Sequence, residues 1–338
     1  MLTVEKFKNV RISNRKVAII SHNDLDGAGP ILIGDKIFSD YKYFTVSNNS
    51  VDKVVRLVLF SPDYNDRDLI FITDVSITDG NLSDTISIIN REGKKQIFLF
   101  DHHDTATWLN TFDWAHVTQE KGVSGTKLFW NFLHECDMLN SEIYYDLNEL
   151  VDIISDWDTW QWVEKMDERC KDMDTLFKKT GINYFLTKFR NSNELFTDLD
   201  NAFFSDIRTK ESFVIVPGIK KTAANINMDF DYNDSNGNHI HHKALVKCVS
   251  VAEAPGDIAE QLYDLEEPTD FVFIFYSNGT LSARSRVDDV HLGEWCKYVA
   301  GGGGHLRSAG FTLNKDTLWI YIAYLNKRYD IDYCRLHE

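Results

Sequence analysis

The sequence has no CxxC pair. Its five cysteines, Cys136, Cys170, Cys248, Cys296 and Cys334, stand singly. An odd, unpatterned set points to reduced thiols in a cytosol-like compartment. No stretch approaches the roughly 20 apolar residues that a membrane span needs. The opening "MLTVEKFKNVRISNRK" carries no apolar signal core. These absences lead us to expect a soluble, cytoplasmic protein. Positive charge is also short, with 36 basic against 52 acidic residues and a net charge of −16. A broad basic face for long or duplex nucleic acid is therefore excluded, because such binding needs many Lys and Arg contacts to phosphate. A small anionic substrate requires local cations or metal ions to override the global charge. The chain shows no internal repeat and no low-complexity tract.

What is present is a long run of alternating elements. At 338 residues, two domains are the default expectation. Short apolar runs at 16–21, 41–46, 68–73 and 95–100 read as buried strands. The helical patterns 27–38, 51–60 and 81–90 separate them. Continuous apolar strands alternating with helices predict an α/β fold with a parallel sheet covered by helices. Pro30 is expected in the first turn of its helix, where it is tolerated. Residues 124–212 read as mostly helical, and 228–242, "MDFDYNDSNGNHIHH", as a polar hairpin turn or loop. From 243 strands and helices resume, predicting a second, smaller α/β unit. The expected division is 1–190, a helical linker 191–215, and 216–338.

The strand ends carry the chemistry. The first delivers His22, Asp24 and Asp26 in "SHNDLDGAG", the third Asp74 in "TDVS", and the fourth Asp101, His102, His103 and Asp104 in "FLFDHHDT". In a parallel α/β sheet these C-terminal ends lie on one edge, where ligands bind. A single Asp after a strand is most often a helix cap or turn residue. Three strand ends doing this together are not explained that way. Clustered carboxylates repel one another unless a cation neutralises them. Carboxylates mixed with imidazoles suit Mn²⁺ best. There are too many for one ion, which suggests two ions sharing a bridging carboxylate, the arrangement that activates water for displacement at phosphorus.

"DHH" after an apolar strand, with "HNDLDG" upstream and "TD" between, resembles the DHH phosphoesterase superfamily. The family's fourth motif, an aspartate after an apolar run, fits "VDIISDWDTW", with Asp156 as the best match and Asp158 as the fallback. The resemblance implies His22 and Asp24 on one metal, Asp26, His102 and Asp156 on the other, and Asp74 as the bridge. It implies that His103 contacts the scissile phosphate and that Asp101 orients His102. Some branches place the first histidine four residues before the first aspartate; here the gap is two. Asp104 has no counterpart and reads as a loop or capping residue.

Near the other end, "VAGGGGHLRSAGF" places four glycines before His305 and Arg307. As a bare run this is equally well a flexible linker. Backbone N–H groups beside a cation can also form a phosphate-binding nest. The stretch resembles the glycine loop of the DHHA1 substrate-binding domain, with "SAG" for the usual "AAG". "LSARS" resembles that domain's S-x-R-S strand. The resemblance implies substrate binding by Arg284, Gly302, Gly303, Gly304, His305 and Arg307, with Arg284 clamping a phosphate or stacking on a base. Arg286 reads as a solvated neighbour.

Trp157, Trp160 and Trp162 read as packing more than as a base-stacking surface. His239, His241 and His242 read as a solvated hairpin. "SHNDLDG" and "SDWDTW" look closest to the oligoribonuclease (nanoRNase B-like) branch. The resemblance then implies a phosphodiesterase with two divalent metal ions, Mn²⁺ before others. Its substrates would be short RNA oligonucleotides or dinucleotides bound across an interdomain cleft and cut to mononucleotides. A homodimer is compatible with this reading. The same residues would serve a cyclic or linear dinucleotide signalling phosphodiesterase. A single-strand DNA exonuclease and a non-enzymatic nucleotide sensor are the remaining alternatives.

Overall fold

A computed structural model describes residues 15–330 of the chain, apart from 253, 255 and 256. The opening stretch 1–14 and Cys334 lie outside the described residues. The chain forms two compact units, Met1–Asn201 and Ala202–Glu338. The division falls inside the stretch 191–215. No helix among the described residues is long and apolar enough to cross a membrane.

The first unit is built on five parallel strands. They are β1 (Val17–His22), β2 (Tyr41–Val46), β3 (Leu69–Thr73), β4 (Gln96–Asp101) and β5 (Ala115–Val117), in the order β2-β1-β3-β4-β5. Helices α1 (Leu25–Ile37), α2 (Val51–Phe60) and α3 (Gly80–Glu92) connect them. Period-two geometry sends alternate side chains to opposite faces. Ala18, Ile20, Ile70, Ile72, Ile97 and Leu99 pack in one cluster with Val51, Val55, Val58, Leu82 and Ile86 from α2 and α3. Phe71, Phe98 and Phe100 form aromatic contacts with Phe129 and Phe132. Both faces are thus apolar, which is why these strands read as continuous hydrophobic runs.

Helical structure follows in α4 (Gly125–Glu135), α5 (Ser141–Asp158), α6 (Gln161–Lys165), α7 (Arg169–Asn191) and α8 (Asp198–Lys210). The short strand β5 has no counterpart in the sequence reading. It has three residues, one of them the exposed His116, too few to establish a period. Pro30 also departs from expectation. Helix α1 begins at Leu25, capped by the Asp24 side chain, so Pro30 falls in the second turn.

The second unit, after α9 (Val216–Lys220), contains β6 (Ala224–Asn233), β7 (His239–Val251), α10 (Ile258–Leu262), β8 (Phe271–Tyr276), β9 (Thr280–Ser285), α11 (Leu292–Ala300), β10 (Gly303–Gly304), β11 (Ser308–Thr312) and α12 (Leu318–Tyr329). The sheet order is β10-β11-β9-β8-β7-β6. Only β7 and β8 run parallel. Most of 228–242 is strand rather than loop. The turn is confined to 234–238, and β6 alternates strictly, with Met228, Phe230 and Tyr232 buried and Asp229, Asp231 and Asn233 exposed. Its polar composition hid a period-two strand. Tyr232 and Phe230 join a core with Phe273, Trp295, Phe311 and Tyr324.

Candidate metal centre

Strands β1, β3 and β4 end level with one another. Ser21 pairs with Thr73, and Thr73 with Phe100. The next residues, His22, Asp74 and Asp101, therefore leave the sheet along one line. The chain leaves β1 towards β2 on one side and returns to β3 on the other. That reversal is the switch point at which a crevice opens in parallel sheets.

Two groups of ligand-type atoms meet there, one on each side of Asp74. In the first, His22 Nδ1 lies 2.6 Å from Asp24 Oδ2 and 3.9 Å from Asp74 Oδ2. In the second, His102 Nε2 lies 3.3 Å from Asp74 Oδ1, 3.2 Å from Asp158 Oδ2 and 3.7 Å from Asp26 Oδ2. The two oxygens of Asp74 thus face different groups. Asp74 has φ of 54°, a left-handed conformation costing about 1–2 kcal/mol for a residue with a Cβ. Gly125, at the start of α4, makes room for it. A Cβ on Gly125 would stand 2.6 Å from the Cβ of Asp74 and 3.0 Å from Asp26 Oδ2.

The electrostatics call for cations. Burial, then the charges of Asp26 and Asp24, drive the Asp74 carboxyl well above the usual range. Burial and the same two acids do this to Asp158. Asp74 Oδ2 and Asp158 Oδ2 are buried and accept no hydrogen bond among the described residues. Burial also keeps His102 below its ordinary pKa, so its ring is neutral and can offer a lone pair. Buried oxygens without donors beside a neutral imidazole fit divalent cations, and the oxygen and nitrogen donor set can hold them.

His103 is held differently. Its Nδ1 lies 2.7 Å from Asp101 Oδ1, which also accepts the backbone N–H of His102 at 2.8 Å. The hydroxyl of Ser76 donates to Asp101 Oδ2. Burial opposes a charge on His103, but Asp101 outweighs it and pushes the ring up to about 9. Asp101 thus orients the side chain of His103 and accepts the backbone N–H of His102, where the sequence suggested that it orients His102. It is His103 whose Nδ1 reaches back along the chain, while His102 turns its Nε2 into the acid cluster.

Comparison with known proteins fits this geometry. No family model matches the chain. Oligoribonuclease NrnB of Bacillus subtilis (strain 168) is 24% identical over 318 residues, spanning 90% of this chain and 75% of that protein. A DHH domain from a member of the s1p family of ribosomal proteins superposes with a TM-score of 0.59 at 12% identity, covering 96% of this chain and 88% of its own. These similarities support the resemblance to the DHH/DHHA1 phosphoesterase superfamily. Among other DHH-type folds, RecJ of Thermus thermophilus, in complex with Mn²⁺, superposes at a TM-score of 0.52 and 12% identity. That match covers 97% of this chain and 53% of RecJ.

Within the first unit, the fourth-motif aspartate is the main departure from the sequence reading. Asp156 is bound at both carboxylate oxygens by Lys165 Nζ, at 2.6 and 2.7 Å. Asp158 takes the place beside His102 and Asp26. Residues two apart on a helix point about 200° apart, so only one can face the site. The buried stripe Leu147, Leu150, Val151 and Ile154 of α5 runs on, at helical spacing, to Asp158. That stripe was the available signal. Also unforeseen was the segment Ser124–Gly125–Thr126, whose hydroxyls and N–H groups converge on Asp26. A glycine flanked by hydroxyl residues at a helix start was its only mark. Asp104 accepts from the side chain of Gln119 at the start of a short 3-10 segment. Trp157, Trp160 and Trp162 pack against one another at 5.4–6.5 Å, with Lys178 over Trp157.

In the second unit, Arg284 lies on β9. Its guanidinium donates to Ser282 Oγ at 2.6 Å and to the carbonyl of Ala283 at 2.9 Å, and meets no carboxylate among the described residues. Burial lowers its pKa, and no neighbouring acid offsets that. The glycine run is ordered, not a linker. Gly303 and Gly304 form β10 against Gly310 and Ala309. Gly304 has φ of 137°, and a Cβ there would lie 2.4 Å from the carbonyl oxygen of Ser308, so only glycine fits. The N–H groups of Gly301, Gly302 and His305 are engaged with Lys297, Cys296 and Ser308. Those three donors are therefore committed within the unit, and do not form an open nest. Arg307 forms a two-point ion pair with Asp288, and Arg286 with Asp264 and Asp270. His241 and His239 pair with Asp229 and Asp231 on the exposed face of the hairpin.

Proposed function

We propose that the protein is a metal-dependent phosphodiesterase that hydrolyses short oligoribonucleotides to mononucleotides. The observation that carries this reading is the sharing of Asp74 by two ligand groups at the C-terminal edge of a parallel sheet. His22, Asp24 and Asp74 would hold one divalent cation. Asp26, Asp74, His102 and Asp158 would hold the other. The mixed carboxylate and imidazole set favours Mn²⁺. When bound, two such ions supply a water activated for in-line displacement and offset the charge on the phosphate.

The chain's own side chains do the rest. His103, fixed through Nδ1 by Asp101, would meet a non-bridging phosphate oxygen with its other ring nitrogen. It binds and orients the scissile group. In the second unit, Arg284 serves as a phosphate-binding group, because its guanidinium has hydrogen-bonding capacity left and meets no acid among the described residues. The short length of the substrate follows from the charge. A chain at −16 offers few phosphate contacts beyond these, so each additional nucleotide adds repulsion and little binding. The resemblance to oligoribonuclease NrnB supports the choice of RNA.

A time course of end-labelled RNA and DNA oligomers with Mn²⁺, beside cyclic dinucleotides, tests the reading. RNA dimers and trimers should be consumed fastest and end as mononucleotides. Hydrolysis in excess chelator would overturn the metal mechanism. Faster turnover of single-stranded DNA or of cyclic dinucleotides would move the substrate assignment. Arg284→Ala should raise KM about tenfold or more while kcat is kept, in line with a charge-assisted hydrogen bond.

A further inference from the structure

We infer that Ser124, Gly125 and Thr126 are positioning residues that commit Asp26 to hold a cation through Oδ2 alone. The inference rests on the two-metal reading above and adds the groups that set one of its ligands.

Asp26 is nearly fully buried. Its Oδ1 accepts the hydroxyl of Ser124 at 2.6 Å and the backbone N–H of Thr126 at 3.0 Å. Among the described residues its Oδ2 accepts only the backbone N–H of Gly125, at 2.7 Å. An ionised carboxylate has about two acceptor sites on each oxygen. Oδ1 is therefore filled, and Oδ2 keeps one site. Oδ2 is also the oxygen that faces His102 Nε2. These donors lie at the N-terminus of α4, where the helix field favours a negative charge. They spread the charge of Asp26 enough for it to stand beside Asp74 and Asp158.

The main chain makes a further connection. Pro30 has no N–H, so the carbonyl of Asp26 lacks the donor that an α-helix would give it. The hydroxyl of Thr126 donates to that carbonyl instead. Gly29 lets it in, since a Cβ there would stand 2.1 Å from the Thr126 Oγ1. Thr126 thus holds Asp26 by its side chain and by its backbone. His22 and Asp24 receive none of these bonds. Loss of the clamp should weaken one cation and spare the other.

The test is Mn²⁺ titration of chelator-stripped protein, followed by electron paramagnetic resonance, with the melting temperature of the metal-free form measured alongside. Wild type should take up two ions with a spin-coupled spectrum. Ser124→Ala and, separately, Thr126→Val should weaken the second ion about 10- to 100-fold, the usual effect of losing an outer hydrogen-bond partner. An isolated-ion spectrum should then persist at two equivalents. Thr126→Ser should restore the coupled spectrum. Wild-type affinity for both ions in both variants would overturn the inference, as would equal weakening of both sites in proportion to lost thermal stability. Wild-type protein that takes up no Mn²⁺ would overturn the two-metal reading and this inference with it.

Discussion

His22 and Asp24 stand two residues apart and touch each other at 2.6 Å, whereas Asp26 meets Ser124, Gly125 and Thr126 across 98 to 100 residues of chain. The side chain of Asp24 is 46% exposed and that of Asp26 only 1%. Both groups share Asp74, yet the outer one is made by a single turn and the inner one by the docking of three helices. Exposed, locally held ligands tolerate replacement by neutral isosteres at little structural cost. Buried ligands held by remote donors do not, because their removal leaves unpaired polar groups.

The largest effect should come from Asp74→Asn, which strikes both halves at once. Turnover should fall by more than the about 100-fold typical of losing an outer partner. Near-wild-type turnover with Mn²⁺ would mean that the halves do not meet at Asp74. The inner half is tested next. Asp158→Asn should cost nearly as much, while Asp156→Asn should leave turnover close to wild type and change stability by about 1 kcal/mol or less, since it only breaks the Lys165 pair. If the two variants behaved the other way round, the inner group would be wrongly drawn. In the outer half, Asp24→Asn should weaken Mn²⁺ binding without lowering the melting temperature. Asparagine still caps α1 through Gly27, whereas Asp24→Ala would cost about 1 kcal/mol more.

The smallest effect concerns Asp101 and His103, which neighbour both halves. His103 is raised from 6.5 to about 9 against burial, by Asp101. In metal-free protein the pair therefore contributes its full stability below pH 6.5, and the contribution is lost as pH rises through about 9. Urea unfolding of wild type and Asp101→Asn should differ at about pH 6 and converge at about pH 10. A gap that persists at the higher pH would assign the stabilisation to the bonds from Ser76 and the His102 N–H instead.

The difference between the halves also explains what could be read in advance. β1, β3 and β4 announce themselves as unbroken apolar runs because both of their faces are covered, and the acids that end them are adjacent in sequence. The outer group lies wholly within that legible part. The choice between Asp156 and Asp158 depends on the rotation of α5, and only Trp157 separates the two in sequence. The clamp on Asp26 depends on a helix start about a hundred residues away, in a stretch with no charge to mark it. In the second unit, β6 was obscured by its polar outer face, although its inner residues alternate without a break.

The bonds to Asp26 have a consequence for how the chain folds. A loop of about a hundred residues must close before Ser124 and Thr126 can reach it, and closing long loops is what slows folding. An unfolded chain can present His22 and Asp24 to a cation, but not the inner set. On the two-cation reading proposed above, the second ion would bind only the completed unit, and raising its concentration should shift the folding equilibrium by mass action without hastening the collapse that precedes it.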